Sequence, residues 1–544
     1  MSEVAPRRVA PVGRRALLVD CADLTEALGL AEALERDPLP GQVDVRIGAR
    51  TVLVRCVDER STTGAAPLLR DLAPDVGATR REGRTLEIAV VYDGEDLDDV
   101  ARLTGRSRAA VVDGHCAQEW VAAFGGFAAG FVYLSGRGPA VPRRPTPRTR
   151  VPAGSVGLAD RFSAVYPRSS PGGWQLLGRT TVALWDVERD PPSLVRPGDR
   201  VRFRAVRDTA LGAGPAVRAP TGPPARGPET SGGDGTRRRA SGSAPDVPGF
   251  VVVRPGPLSL VEDLGRAGLE HLGVSPSGAA DRGAAARANR LVGGPPGAPV
   301  LETLGGLELR AVGDQVCVVT GPPGAVTVHL GEGRRVAQEV GAPFSVPDGA
   351  RVEVAEPSAG LRRYVAVRGG FAVRAVLGST ATDLLSGLGP EPLGPGVMLP
   401  VAPPEGAAVV GHPEPPGRWP DEPLELEVVL GPRSDWFTPQ SVERLVRQEW
   451  RVTDHADRVG VRLQGAALER AADAASRELP SEPMVAGCVQ VPPTGQPVVL
   501  LVDHPVTGGY PVVAVVVEPG LELLAQARPG QVVRFRVGEQ VSAC

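Results

Sequence analysis

Several short stretches bring together side chains able to do chemistry. Pro142–Ser155 (PRRPTPRTRVPAGS) is stiffened by proline and projects Arg143, Arg144, Arg148 and Arg150. Guanidinium forks suit carboxylate or phosphate, so the run is either a solvated loop or the anion-holding wall of a cleft. Ser170–Thr180 (SPGGWQLLGRT) sets Trp174 and Gln175 behind two glycines and ahead of Arg179. Gln175 offers a donor and an acceptor to an amide or lactam, while Trp174 on such a turn serves equally as core packing. Further on, Asp263, Arg266, Ser277 and Asp281 sit on glycine turns, and Asp281 is a natural cap for a helix over Arg282–Leu291. Asn289, the sole asparagine, marks a hydrogen-bonding position in that helix. Near the end, Asp503, His504 and Tyr510 cluster with Gln490 and Gln496. Neighbours on a strand face opposite sides, so Asp503 and His504 form no catalytic pair. Phe124–Gly138 (FGGFAAGFVYLSGRG) mixes glycine with aromatics, as a ligand wall or as a turn within a barrel.

Other chemistries are excluded. The chain has 544 residues and 60 basic ones, all of them arginine. Without lysine there is no Schiff base, no phosphate-loop lysine and no attachment point for biotin or lipoyl. No G-x-S-x-G elbow or zinc-type E-x-x-H motif is present, and the cysteines and histidines lack metal-ligand spacing, so no metal site is expected. A net charge of −3 gives no bulk attraction to nucleic acid or an anionic membrane. The longest apolar runs, such as Val512–Val517, are too short to span a bilayer, and six scattered cysteines suit reduced thiols. A cytoplasmic protein is expected.

The elements that must hold these residues are short. With 69 glycines, 56 prolines and 4% aromatics, the composition favours brief strands and tight turns. Residues 15–83 read as a small α+β domain: a strand at Ala16–Asp20, a helix at Leu24–Glu35, a hairpin over Val43–Val57 and a helix at Ala65–Leu72. Residues 84–206 form a β-barrel, with helices at Asp96–Thr104 and Arg106–Glu119. Residues 207–248 are expected to form a disordered Gly/Pro/Arg linker, in which Arg237–Arg239 are either solvated or an anion-binding run. Residues 249–418 and 419–540 are two further β lobes. An echo ties the parts together. VPAGS (Val151–Ser155), PGGWQ (Pro171–Gln175) and PGDRVRFR (Pro197–Arg204) return in order as VPPTG (Val491–Gly495), GGYP (Gly508–Pro511) and PGQVVRFR (Pro529–Arg536). A third copy is expected between Phe250 and Pro415, on the strength of VPDGARVEV (Val346–Val354).

These motifs carry a family resemblance. The first part resembles the B-subunit family of 5-oxoprolinase, also described as KipI-like or allophanate hydrolase subunit 1. It does so through His115, GF-x-x-GF-x-YL (Gly126–Leu134), VPAGSVG (Val151–Gly157) and YP-x-x-SPGGWQLLGRT (Tyr166–Thr180). The second part resembles the C-subunit family of the same enzyme, KipA-like or allophanate hydrolase subunit 2. Its matches include DLGR-x-G (Asp263–Gly268), GVSPSGAAD (Gly273–Asp281), DR-x-G-x-RL (Asp457–Leu463) and QVPP-x-GQP (Gln490–Pro497). The chain looks like a fusion of the two. The resemblance implies a mainly β fold of repeated cyclophilin-like barrels. It also implies work with a separate 5-oxoprolinase A subunit, of LamB/YcsF type, that opens 5-oxoproline to glutamate with ATP as co-substrate. Asp263, Asp281 and Asp503 are then expected as catalytic residues, and Arg148, Gln175, Arg179, Arg266, Gln490 and Tyr510 as substrate-binding residues lining one cleft. Self-association is left open. Ala129, Glu262 and Ala280 stand where the family usually has Pro, Gln and Met. The same modules resemble the carboxyltransferase region of urea carboxylase, which would need a biotin carrier in trans. A third alternative is a non-catalytic sensor-kinase inhibitor.

Overall fold

The computed structural model describes residues 7–73, 83–144, 146–208, 217–221, 247–404, 409–415, 419 and 423–538. The small N-terminal unit is a four-stranded sheet in the order Val9–Pro11, Ala16–Asp20, Thr51–Cys56, Gln42–Ile47. Its first helix, Leu24–Arg36, buries Ala27, Leu30, Ala31 and Leu34, the i, i+3, i+4, i+7 stripe read from the sequence. Asp23 caps it by accepting from Glu26 N. The second helix runs Glu59–Asp71, six residues earlier than expected, because Asp58 supplies a cap to Ser61 N at 2.7 Å.

Two barrels follow the same path. In the first, the strand order is Gln175–Arg179, Ser155–Ala159, Phe162–Val165, Val132–Ser135, Trp120–Gly125, Arg200–Ala205, Thr85–Val90, with a Val91–Arg179 bridge joining the ends. In the second, the order is Val512–Val516, Cys488–Gln490, Val498–Leu500, Gly460–Gln464, Trp450–Val452, Val532–Val537, Leu424–Leu430, and it closes. The echoed RFR strands hold equivalent places. Phe203 pairs with Ile88 and Phe535 with Leu426, each in the parallel step of its barrel. Alternation buries Val201, Phe203, Val533 and Phe535 and turns the arginines between them outward. A further echo, Gln-Glu-Trp at 118–120 and 448–450, is too short to stand out in the sequence alone. Trp120 Nε1 donates to His115 O and Trp450 Nε1 to Leu445 O, each locking the preceding helix.

The expected third copy is absent. Between Gly249 and Val401 the chain forms two facing sheets with other strand orders, enclosing Phe250, Leu309, Cys317 and Val365. The matched segment, Val346–Val354, contributes strand ends to both sheets instead of a barrel step. The helix Arg282–Leu291 packs on the outer face of one sheet through Ala285, Ala288 and Leu291. Asn289 Nδ2 donates to Pro296 O and Ala298 O, pinning the loop after that helix. Most of the expected linker, Arg237–Arg239 included, lies outside the described residues. Within it, Val217–Thr221 forms a strand antiparallel to Thr85–Val90. No described helix is long and apolar enough to cross a membrane.

The parts interlock across long sequence distances. Val12, Ala16, Leu18 and Leu53 of the small unit share an apolar cluster with Met484, Cys488, Leu500, Val512 and Val515 of the second barrel. Arg433 pairs with Asp20 and Glu482 there. Arg46 pairs with Glu270 at 2.7 Å. The turn at Gly126–Gly130 seats the first barrel on the middle region. A Cβ on Gly273 would lie 2.2 Å from Ala128 O, and one on Gly125 would lie 2.4 Å from His271 O.

Candidate functional site

A cavity of about 340 Å³ opens where the two barrels and the small unit meet. The first barrel contributes Tyr133, Arg143, Asp160, Phe162 and Trp174; the second side contributes Glu478, Leu479 and Ser481. The GG-aromatic turns of the echo come together here. Trp174 is in the wall, and Tyr510, its counterpart, sits close enough to Arg143 for the guanidinium to favour its ionised form. Burial outweighs that influence and raises the Tyr510 hydroxyl. Arg143 Nη2 donates to Ser481 Oγ at 2.9 Å, and its Nε lies 3.1 Å from Glu478. Tyr133 Oη and Thr507 Oγ1 meet at 3.1 Å across the junction. Flat apolar walls with a few convergent polar groups suit a small planar ligand.

The expected site residues do not line one cleft. Gln490 is half-buried near the cavity, its Oε1 3.4 Å from where a Cβ on Gly508 would lie. Gln175 is buried behind the wall, its Nε2 donating to Pro142 O at 3.0 Å. Arg148 is turned away and donates to Glu95 and Asp96. Arg144 also pairs with Asp96, at 2.6 Å. Of the arginine-proline run, therefore, only Arg143 reaches the cavity. Arg179 is exposed at the barrel seam, bound to Asp93 and Asp208.

Asp263, Arg266, Asp281 and Asp503 gather elsewhere, around a buried ionic network between the middle region and the second barrel. At its centre Arg458, fully buried, reaches Asp503 at 2.9 Å, Glu302 at 2.7 Å and Glu262 at 3.3 Å. Arg362 adds a second contact to Glu302, at 3.3 Å. Burial, aided by Glu302 and Asp503, raises Glu262 well above the carboxylate range although Arg458 opposes it. Tyr364 Oη donates to Glu302 at 2.8 Å and accepts from Asp281 N. Asp281 caps its helix through Ala284 N, accepts from Gln526 Nε2 at 2.8 Å, and is pushed up to about 6 by burial. Asp263 fixes a turn, accepting from Gly265 N, Ser379 Oγ, Thr380 N and Thr380 Oγ1. Asp503 and His504 lie on a turn, not on a strand, and both are buried. Asp503 also accepts from Ser277 Oγ, and His504 Nδ1 pairs with Pro505 O. Sequence reasoning passed over Arg458, Glu302 and Arg143 as site residues, although Arg458 lies inside DR-x-G-x-RL and Arg143 inside the arginine-proline run.

His115 belongs to a third polar chain, inside the first barrel. Cys116 Sγ donates to Tyr92 Oη, which meets His115 Nδ1 at 2.7 Å, and His115 Nε2 meets Ser163 Oγ at 2.9 Å. Ser163 then donates to Gly157 O. Burial lowers His115 to about 3, so the ring is neutral and both nitrogens are in use. The chain braces the barrel and leaves no free base.

Two like barrels, a sandwich between them and a cavity shared by both halves define a duplicated carboxyltransferase-type architecture. Family models support this over nearly the whole chain. "Carboxyltransferase domain, subdomain C and D" matches residues 7–195, and "Carboxyltransferase domain, subdomain A and B" matches residues 272–537. The chain belongs to this carboxyltransferase-domain family, with the C/D part ahead of the A/B part. It is 34% identical over 288 residues to the C subunit of 5-oxoprolinase from Escherichia coli K12, covering 52% of this chain and 89% of that protein. Its first part is 44% identical over 140 residues to the B subunit of 5-oxoprolinase from Bacillus subtilis, covering 25% of this chain and 57% of that protein. Urea amidolyase of Lachancea kluyveri is 30% identical over 309 residues, which is 53% of this chain and 17% of that protein. The crystal structure of TTHA0988 superposes with a TM-score of 0.77 at 35% identity, covering 96% of this chain and 99% of that one.

Proposed function

We propose that this chain is the fused B–C component of an ATP-dependent 5-oxoprolinase, opening the lactam of 5-oxo-L-proline to L-glutamate with a separate A subunit. One observation carries the reading: relatives named as the B and C subunits of one enzyme match a quarter and about half of this single chain, and residues from both the first barrel and the second side build the shared cavity. In this reading Phe162 and Trp174 sandwich the ring and exclude water, while Arg143 orients the substrate carboxylate by exchanging Glu478 for it. Asp160 and Glu478 share this wall with Arg143, which supports a site for the small substrate here and for ATP elsewhere, at the A subunit or its contact with this chain. The described cysteines are free thiols, which suits the cytoplasm.

The test mixes the purified chain with its candidate A subunit, 5-oxo-L-proline and ATP. Glutamate and ADP are expected in equal amounts. Neither product above background would overturn the proposal. The urea amidolyase relative supports a second reading, as a biotin-dependent carboxyltransferase component. Lacking lysine, the chain would take its carboxyl group from a biotinylated carrier in trans, which a labelled-bicarbonate transfer assay detects.

A further inference from the structure

The first barrel holds a cavity of its own, of about 50 Å³, between its strands and the helices Leu97–Thr104 and Arg108–Ala117. Val100, Val111, Trp120, Leu158 and Leu177 make its inner wall. His115 is in that wall too, but its ring nitrogens are already engaged by Tyr92 and Ser163, so it adds no free polar atom. The cavity is separate from the one at the junction. Asp160 and Phe162 line the junction cavity, whereas Arg161 between them lines this one.

The duplicated barrel shows what closes such an opening. A Cβ on Gly136 would lie 2.4 Å from Trp120 Cζ3, and one on Gly465 would lie 2.7 Å from Trp450 Cε3. Arg137 N donates to Gln118 Oε1 at 2.8 Å, and Ala466 N to Gln448 Oε1 at 3.1 Å. These matches set Pro139 against Leu468. Leu468 is buried in the core of the second barrel with Leu445 and Trp450. Pro139 is exposed and lines the open cavity. Leu445 likewise gives way to His115 at the carbonyl that accepts from the tryptophan indole. The first barrel therefore lacks two apolar side chains that fill the second.

The rim is cationic. Arg106, Pro139 and Arg161 are the exposed members of the lining, and no acidic side chain is among them. Arg106 lies over the helix at Gly114, where a Cβ would come 3.4 Å from Nη1. Among the described residues neither Arg106 nor Arg161 meets a carboxylate, although Arg84, Arg179, Arg200, Arg202 and Arg204 of the same barrel all do. An apolar hollow rimmed by two unpaired guanidiniums suits an anion with an apolar body. A dry apolar cavity of about 150 Å³ admits benzene, so one about a third that size admits an isopropyl-sized group.

We propose that the mouth of the first barrel is a binding site for a short branched-chain carboxylate, its alkyl group in the hollow and its carboxylate on Arg106 and Arg161. The planar carboxylate accepts from guanidinium forks, and the alkyl group takes the place that leucine side chains take in the second barrel. The site is distinct from the junction cavity and does not depend on the 5-oxoprolinase reading.

Calorimetric titration of the full chain with isovalerate, isovaleramide and acetate tests it without requiring turnover. Isovaleramide keeps the alkyl body and removes the charge; acetate keeps the charge and removes the body. Isovalerate is expected to bind at least about tenfold more tightly than either. The double variant Arg106→Gln, Arg161→Gln should lower isovalerate affinity at least about tenfold, to the level of the amide. Both side chains are exposed and unpaired, so its thermal midpoint should match the wild type. Arg143→Ala, in the junction cavity, should leave isovalerate binding unchanged. Isovalerate binding no tighter than either comparison probe would overturn the proposal, as would its failure to bind at all. Full isovalerate affinity in the double variant, or its loss in Arg143→Ala, would place the ligand elsewhere and overturn it equally. The three-probe comparison needs no variant, so it decides the matter even where a variant misfolds.

Discussion

Arg458 places one guanidinium against Glu262, Glu302 and Asp503 in the buried seam between the middle region and the second barrel. Removing one partner of a buried ion cluster leaves uncompensated charge. Arg458→Met is therefore expected to cost at least about 3–5 kcal/mol in chemical denaturation. Asp281 gives a pH-dependent case. Its carboxyl is raised from 3.8 to about 6, so the folded state holds the proton more tightly than the unfolded chain. The stability it contributes is full below pH ~4 and is lost as pH rises through about 6. Asp281→Ala loses the helix cap and strands Gln526, so it destabilises by about 1–3 kcal/mol at pH 7. Urea melts should show a larger difference from wild type at pH 4 than at pH 7. The reverse order would rule out the raised carboxyl.

At the scale of elements, the duplication provides an internal control. Trp120 and Trp450 make the same bond to the same turn of equivalent helices, and both are fully buried. Replacing either by phenylalanine removes a buried hydrogen bond, and each should cost about 1–2 kcal/mol. Costs differing by much more than that would show that the two barrels are not energetically equivalent. The duplication also shows what was legible. The RFR strands, the GG-aromatic turns and the apolar helix stripe at Leu24–Arg36 follow from periodicity and turn chemistry. The false third copy came from a single VPDG turn, and one turn of that type fits a sandwich as well as a barrel.

For the whole molecule, the linker is not what joins the halves. Arg433 to Asp20, Arg46 to Glu270, and the Val12–Val515 apolar cluster all bind residues on opposite sides of residues 209–246. Separately expressed chains of residues 1–208 and 247–544 should therefore co-elute in size-exclusion chromatography. Elution as two species would show that these contacts need the covalent tether. At the seam, Gly273→Ala drives a Cβ toward Ala128 O in a left-handed residue. It should lower the thermal midpoint and loosen the co-eluting pair.

By itself the sequence determined the β-rich class, the duplicated barrels, the helix cap at Asp281 and the exclusion of lysine chemistry, because period, turn residues and composition are local properties. Only the tertiary structure decided which charged residues share a site. Arg148 and Arg143 lie in one short motif, yet Asp96 draws the first inward and the cavity takes the second. Leu384 and Asp503 stand far apart in the chain and bond because the middle region and the second barrel pack together at one loop. Pairing of this kind depends on which surfaces dock, and no local spacing encodes that.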